Sequence, residues 1–249
     1  MSLRRSVVAL LVLFGAVRSI AGQDVPHRTI PDLRWQPVAI GAGIVGLTMF
    51  FDAEIARGVK RHGTAGSRET ARTLSKFGEV VVIGPVAGGL AAIGLLAGKP
   101  QVTRTAGRVA ASIVVANLLT QPVKFLAGRR RPYQDTNLDA SDFSPFSGHA
   151  SFPSGHSSAA FALATTLGDA TGNTFARIGL YALATGTAWG RVTEADHWVS
   201  DVLAGAGIGI LSAKFASGKF RILGLQAPRF LIGPQGTGIA MTASLPRIR

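Results

Sequence analysis

Lys124-Phe125-Leu126-Ala127-Gly128-Arg129-Arg130-Arg131-Pro132, Ser151-Phe152-Pro153-Ser154-Gly155-His156-Ser157-Ser158 and Gly190-Arg191-Val192-Thr193-Glu194-Ala195-Asp196-His197-Trp198-Val199-Ser200-Asp201 are three polar islands in a chain otherwise rich in Ala, Gly, Val and Leu. Together they bring separated cations, two histidines, a carboxylate and a Pro-Ser-Gly turn opening a helix. That inventory suits a phosphoryl group.

The residue types explain why. Lys124 and Arg131 bracket a short segment ending at Pro132, so both can converge on one anion from a helix end and the loop after it. Arginine offers a planar fork for tetrahedral oxyanions, and lysine adds a compact point charge. Ser154 and Gly155 precede a helix-compatible run from Ser157 to Gly168. Their N–H groups therefore sit at a helix N-terminus, where free donors and the macrodipole favour phosphate. His197 and Asp201 are four apart and share a face if they lie on a helix. The carboxylate can then accept from one ring nitrogen and leave the other as a nucleophile. His156 becomes the general acid for the leaving oxygen.

Working outward, Pro37 to Phe51 is apolar and Gly-rich and stops at Asp52 and Glu54. Residues 52 to 76 carry many cations and read as an amphipathic or interfacial segment. Val80 to Ala97 is the best single transmembrane candidate despite Pro85. A third helix over Thr103 to Ala127 delivers Lys124, with Pro122 near its end. Residues 133 to 152 form a polar loop. A fourth helix starts near Ser154, a fifth covers Phe175 to Trp189 and brings Arg191, and a sixth starts before His197 and runs to Ala216. The fold is thus all-α: an antiparallel bundle of about six helices, membrane-embedded, with the three islands at one mouth. Residues 219–249 form a short tail, read as two strands around Pro234-Gln235-Gly236-Thr237-Gly238. Residues 23–218 make one catalytic domain, and 1–22 a signal peptide or anchor with Arg4 and Arg5 before an apolar core.

Composition agrees. The chain of 249 residues is 47% hydrophobic and 16% charged with positive mean hydropathy, which points to the membrane. Its formal charge of +13 is scattered between apolar runs with few aromatics, which argues against nucleic acid and for anionic headgroups and phosphorylated substrates. The absence of cysteine excludes disulfides and thiol chemistry.

The islands resemble the three-part motif of the type 2 phosphatidic acid phosphatase (PAP2) superfamily, which also holds bacterial class A acid phosphatases and vanadium haloperoxidases. Six residues separate Lys124 from Arg131-Pro132, Pro153-Ser154-Gly155-His156 follows, and five residues separate Arg191 from His197 and three more His197 from Asp201. Gly190 departs from the family's usual serine, which puts one supporting hydrogen bond in question. The resemblance implies a PAP2-like fold and a metal-independent phosphatase that hydrolyses a phosphomonoester or pyrophosphate, above all on a lipid, through a phosphohistidine on His197 oriented by Asp201. It gives His156 the role of proton donor and then of base for water. Lys124, Arg131, Arg191, Ser154 and the Gly155 amide would hold the phosphate oxygens, with no metal or other cofactor. The expected partner is a phosphorylated lipid or a small phosphate ester at a membrane, with the site facing the periplasm or cell exterior. A soluble periplasmic acid phosphatase, a vanadium haloperoxidase and a non-catalytic membrane protein are the rivals. His27, His62 and His149 read as structural, Arg129 and Arg130 as surface or headgroup contacts, and Glu194 and Asp196 as solvated loop charges.

Overall fold

Hydroxyl-bearing and small residues decide the centre of this bundle. The computed structural model describes residues 30–222, 224–227, 229–233 and 236–240. Helix α6 (Gly155–Thr171) is its axis, packed against α5 (Pro100–Ala127), α7 (Thr174–Thr193) and α8 (Val199–Ala216). Ten of its 17 residues are buried, and Leu163 is the one large apolar side chain among them. The neighbours come close because they carry glycine: a Cβ at Gly205 or Gly209 of α8 would fall on the carbonyl oxygens of Ser154 and Ser158. Hydroxyls pair across the same seams, Thr120 with Ser158 and Thr166 with Ser112, each at 3.2 Å.

Around this centre lie α1 (Trp35–Met49), α2 (Asp52–His62), α3 (Ala65–Ser75) and α4 (Val80–Leu96). The six expected helices are present. The segment 52–76, read as one interfacial stretch, forms two further helices broken at Gly63-Thr64, because the Thr64 and Ser67 side chains cap α3 reciprocally. Gly128 ends α5 in the left-handed region (φ 55°), and a Cβ there would strike the Ser144 carbonyl. The chain thereby turns sharply into the loop that carries Arg129 to Arg131.

Two helices are long and apolar enough to cross a membrane, α5 and α8. Two bent pairs pass the same test together: α1 with α2, bent by 59°, and the 65–78 segment with α4, bent by 44°. Val80–Leu96 is therefore not the best single span. At 17 residues it reaches a span's length only with the segment before it. Large apolar side chains on α1 and α4, among them Ile40, Leu47, Val80 and Leu96, point outward, as they do in a protein embedded in a membrane. In the tail, β1 (Arg229–Gly233) pairs antiparallel with β2 (Gly236–Ala240). Residues 1–22, read as an export signal, lie outside the described residues.

Candidate active site

The three islands are stitched together by backbone hydrogen bonds. Ser151 N donates to Arg129 O at 3.0 Å, Tyr133 N to Ala195 O at 3.0 Å, and Ser154 N to Asp201 O at 3.0 Å. The Trp198 indole donates to Arg130 O at 2.9 Å. Every pair of islands is thus joined at the mouth of the bundle, and the predicted residues come together there.

Asp201 organises the histidine. It is the third residue of α8, and one of its oxygens accepts from the Trp198 backbone N–H at 2.9 Å, the reciprocal half of a capping box. This bond fixes where the helix begins, so His197 lies in the loop just before α8. The expectation that both residues sit on one helical face is corrected accordingly: they meet across a cap. His197 Nδ1 stands 3.5 Å from Asp201 Oδ2, within ion-pairing range but longer than a well-formed hydrogen bond. Ser151 Oγ donates to the same oxygen at 2.5 Å. The imidazole is only 2% exposed, and burial pushes it down from 6.5 to about 4, against the opposing pull of Asp201. It is therefore neutral at ordinary pH, the state a nucleophile needs.

The cations converge from three elements. Lys124, in the last turn of α5, donates to Ala150 O at 2.6 Å. Arg131 follows that helix, and Arg191 is in the last turn of α7, which runs beyond the expected Trp189 to Thr193. Asp196 bridges the two arginines, 3.6 Å from the Arg131 guanidinium and in direct contact with that of Arg191. Glu194 adds a second partner to Arg191 at 3.2 Å. Glu194 and Asp196 are therefore not simply solvated charges. They hold two like-charged forks side by side. Ser154 is the N-cap of α6, its Oγ accepting from Ser157 N at 3.4 Å, so the amides of its first turn face the mouth. Half-buried His156 stands in that turn, backed by Gly78, whose Cβ would strike the His156 carbonyl.

Arg129 is the larger correction. It is fully buried, not at the surface, and its guanidinium lies between Asp52 at 2.8 Å and Asp201 at 2.7 Å. Asp52, the first residue of α2, is buried as well and accepts from Ser200 N at 2.9 Å. Nothing in a run of three arginines shows which one turns inward. The left-handed Gly128 decides it. Asp52 gave one sign, a carboxylate placed directly after an apolar run.

Gly190 is explained by packing. A Cβ there would collide with Ser75 Oγ and the Ala71 carbonyl of α3. The Ser75 hydroxyl occupies that space and donates to Glu194 at 3.0 Å. Among the described residues no group of three or more His, Cys, Asp or Glu side chains is arranged to hold a metal ion.

A family model described as the PAP2 superfamily matches residues 105–221, the span that holds all three islands. A lipid A 1-phosphatase of Rhizobium etli is 30% identical over 202 residues, 72% of this chain and 82% of the relative. A second, from Rhizobium johnstonii, is 33% identical over 138 residues, 52% of each chain. Two crystal structures share the fold. Aquifex aeolicus LpxE has a TM-score of 0.53 at 20% identity, covering 67% of this chain and 94% of its own. A transmembrane PAP2 type phosphatidylglycerolphosphate phosphatase from Bacillus subtilis has a TM-score of 0.53 at 21% identity, covering 74% and 96%.

Proposed function

This chain belongs to the PAP2 superfamily, and from that premise we propose that it is a membrane phosphatase that hydrolyses a phosphate monoester on a lipid, without a metal, through a phosphohistidine on His197. The observation that carries the reading is the buried, neutral His197 against Asp201, with Lys124, Arg131 and Arg191 gathered around the same mouth. In the first step the ring nitrogen facing away from Asp201 attacks phosphorus. The ester P–O bond breaks, and His156 gives its proton to the leaving oxygen. Asp201 stabilises the imidazolium that forms. In the second step His156 takes a proton from water, the water oxygen attacks phosphorus, and the P–N bond breaks to release inorganic phosphate. Charge developing on the phosphoryl oxygens is met by Lys124, Arg131, Arg191, the Ser154 hydroxyl and the Gly155 amide, fixed cations and dipoles in a largely buried site.

The outward-facing apolar helices favour a lipid substrate over a small soluble ester. The Rhizobium relatives make the 1-phosphate of lipid A the first substrate to test. The export-like sequence of residues 1–22 supports a site on the periplasmic face, which labelling of a cysteine introduced at Tyr133, in intact cells and in lysed ones, would check.

The function is tested by phosphate release from detergent-purified protein with EDTA present, wild type beside His197→Ala. The panel is lipid A, phosphatidic acid, undecaprenyl pyrophosphate and p-nitrophenyl phosphate. Release that is lost in the variant, with a lipid ranked first, is the expected result. Equal release from both proteins would remove His197 as nucleophile, and preference for p-nitrophenyl phosphate would turn the reading toward soluble esters.

A further inference from the structure

Arg129 has no place among the phosphate-facing cations, yet all five of its N–H donors are engaged. Nε donates to Ala140 O at 3.1 Å. One terminal nitrogen donates to Ser200 Oγ and Asp201 Oδ1, both at 2.7 Å, and the other to Asp52 Oδ2 at 2.8 Å and Ala140 O at 2.6 Å. The rings of Phe143 and Trp198 lie 4.9 and 5.3 Å from the guanidinium carbon. Asp52 is held as fully, by Arg129 and by both the N–H and the hydroxyl of Ser200.

Such a cluster is a costly way to pack a protein, because burying charges sacrifices their hydration and an apolar cluster of equal volume often stabilises as well or better. Its position shows what it can do instead. Arg129 grips Asp201 Oδ1, while Oδ2 is the oxygen that faces His197. A carboxylate held at one oxygen by a guanidinium cannot rotate about its own axis, so the direction of the other oxygen is fixed. Asp52 fixes the guanidinium in turn, from the far side and from a different helix.

We propose that Asp52 and Arg129 are positioning residues for the reaction. Acting through Asp201, they aim its Oδ2 at the His197 ring and tie the start of α2 to the nucleophile. The proposal rests on His197 and Asp201 being the reacting pair, as above. A lysine cannot take the place of Arg129, because one ammonium cannot span two carboxylates and a carbonyl in a plane.

The test compares wild type, Arg129→Lys, Asp52→Asn, Asp201→Asn, the double variant Arg129→Lys/Asp201→Asn, and His197→Ala. Melting temperature, kcat and KM on a lipid phosphate in micelles, and the ring-nitrogen NMR titration of His197 are recorded for each. Arg129→Lys and Asp52→Asn are expected to lower kcat about 10- to 100-fold, the range for groups that orient a reacting side chain, with KM changed less than about twofold. In the Asp201→Asn background Arg129→Lys should cost less than about twofold more, because its route of action is already gone. Asp52→Asn slackens the hold on Asp201, whose carboxylate favours the charged ring, and should lower the His197 titration midpoint, which a purely structural role would not move. A lower melting temperature with wild-type kcat per folded molecule, or full losses that multiply in the double variant, would overturn the proposal. If Arg129→Lys does not fold, the shape-preserving Asp52→Asn decides by the same kcat and titration readings. Turnover lost in His197→Ala but kept in Asp52→Asn overturns this proposal alone. Turnover kept in His197→Ala overturns the nucleophile assignment and this proposal with it.

Discussion

Helices α6 and α1 are both long, uncharged apart from one Asp in α6, and helical throughout, yet they obey opposite rules. α6 is built of Ala, Ser, Thr and Gly and is buried along most of its length. α1 carries Ile40, Ile44 and Leu47 and has no buried residue at all. In a water-soluble protein the bulkier apolar helix would be the core. Here the outside is itself apolar, so the hydrophobic effect does not choose between the faces, and close packing and hydroxyl pairing do. Size marks the periphery, and smallness marks the centre where the site is built.

That contrast can be tested in order of effect. His197→Ala, at the centre, should lower turnover at least about 10³-fold. Ile44→Ala, at the periphery, should leave it unchanged, both read by phosphate release per folded molecule. Leu163 is fully buried in α6, and Leu163→Ala is expected to cost about 2–5 kcal/mol of stability through the cavity it leaves. Leu96→Ala, from a side chain 90% exposed in α4, should stay within about 0.5 kcal/mol in detergent unfolding. Gly209→Ala forces a methyl onto the Ser158 carbonyl and should destabilise by about 1–3 kcal/mol. Gly46→Ala in α1, with open space around it, should be neutral or slightly stabilising. A peripheral variant as damaging as its central counterpart would break the comparison.

The same burial of the centre shows itself in pH. His197 titrates at about 4 in the folded protein against an ordinary 6.5, so between those values the unfolded chain binds the extra proton. Stability therefore rises with pH across that window and is lost as pH falls from about 6.5 towards 4. The wild type should lose melting temperature across it more steeply than His197→Ala. Equal slopes would show that the ring is not held neutral by burial.

Much of this was readable from residues alone, for a physical reason. Lys124, Arg131, His156, Arg191, His197 and Asp201 occur at fixed spacings because each stands at a helix end or the turn beside it, where sequence separation nearly dictates distance in space. Separation stops being informative where two elements meet by packing. Asp52 lies 77 residues before Arg129, and only the placement of α2 beside the loop after α5 joins them. Likewise, periodicity could place His197 and Asp201 one turn apart. It could not show that Asp201's own bond to the Trp198 N–H starts the helix at Val199, two residues past the histidine.

Gly190 carries a lesson for anyone grafting or repairing this motif. The serine usual at its position cannot be restored by itself, because α3 already fills the space with Ser75. The Ser75 hydroxyl stands in that space instead, bonded to the glutamate beside Arg191. A side chain at position 190 therefore asks for more than the loss of the Ser75 hydroxyl: the Ala71 carbonyl, a backbone atom, stays in the way until α3 itself shifts.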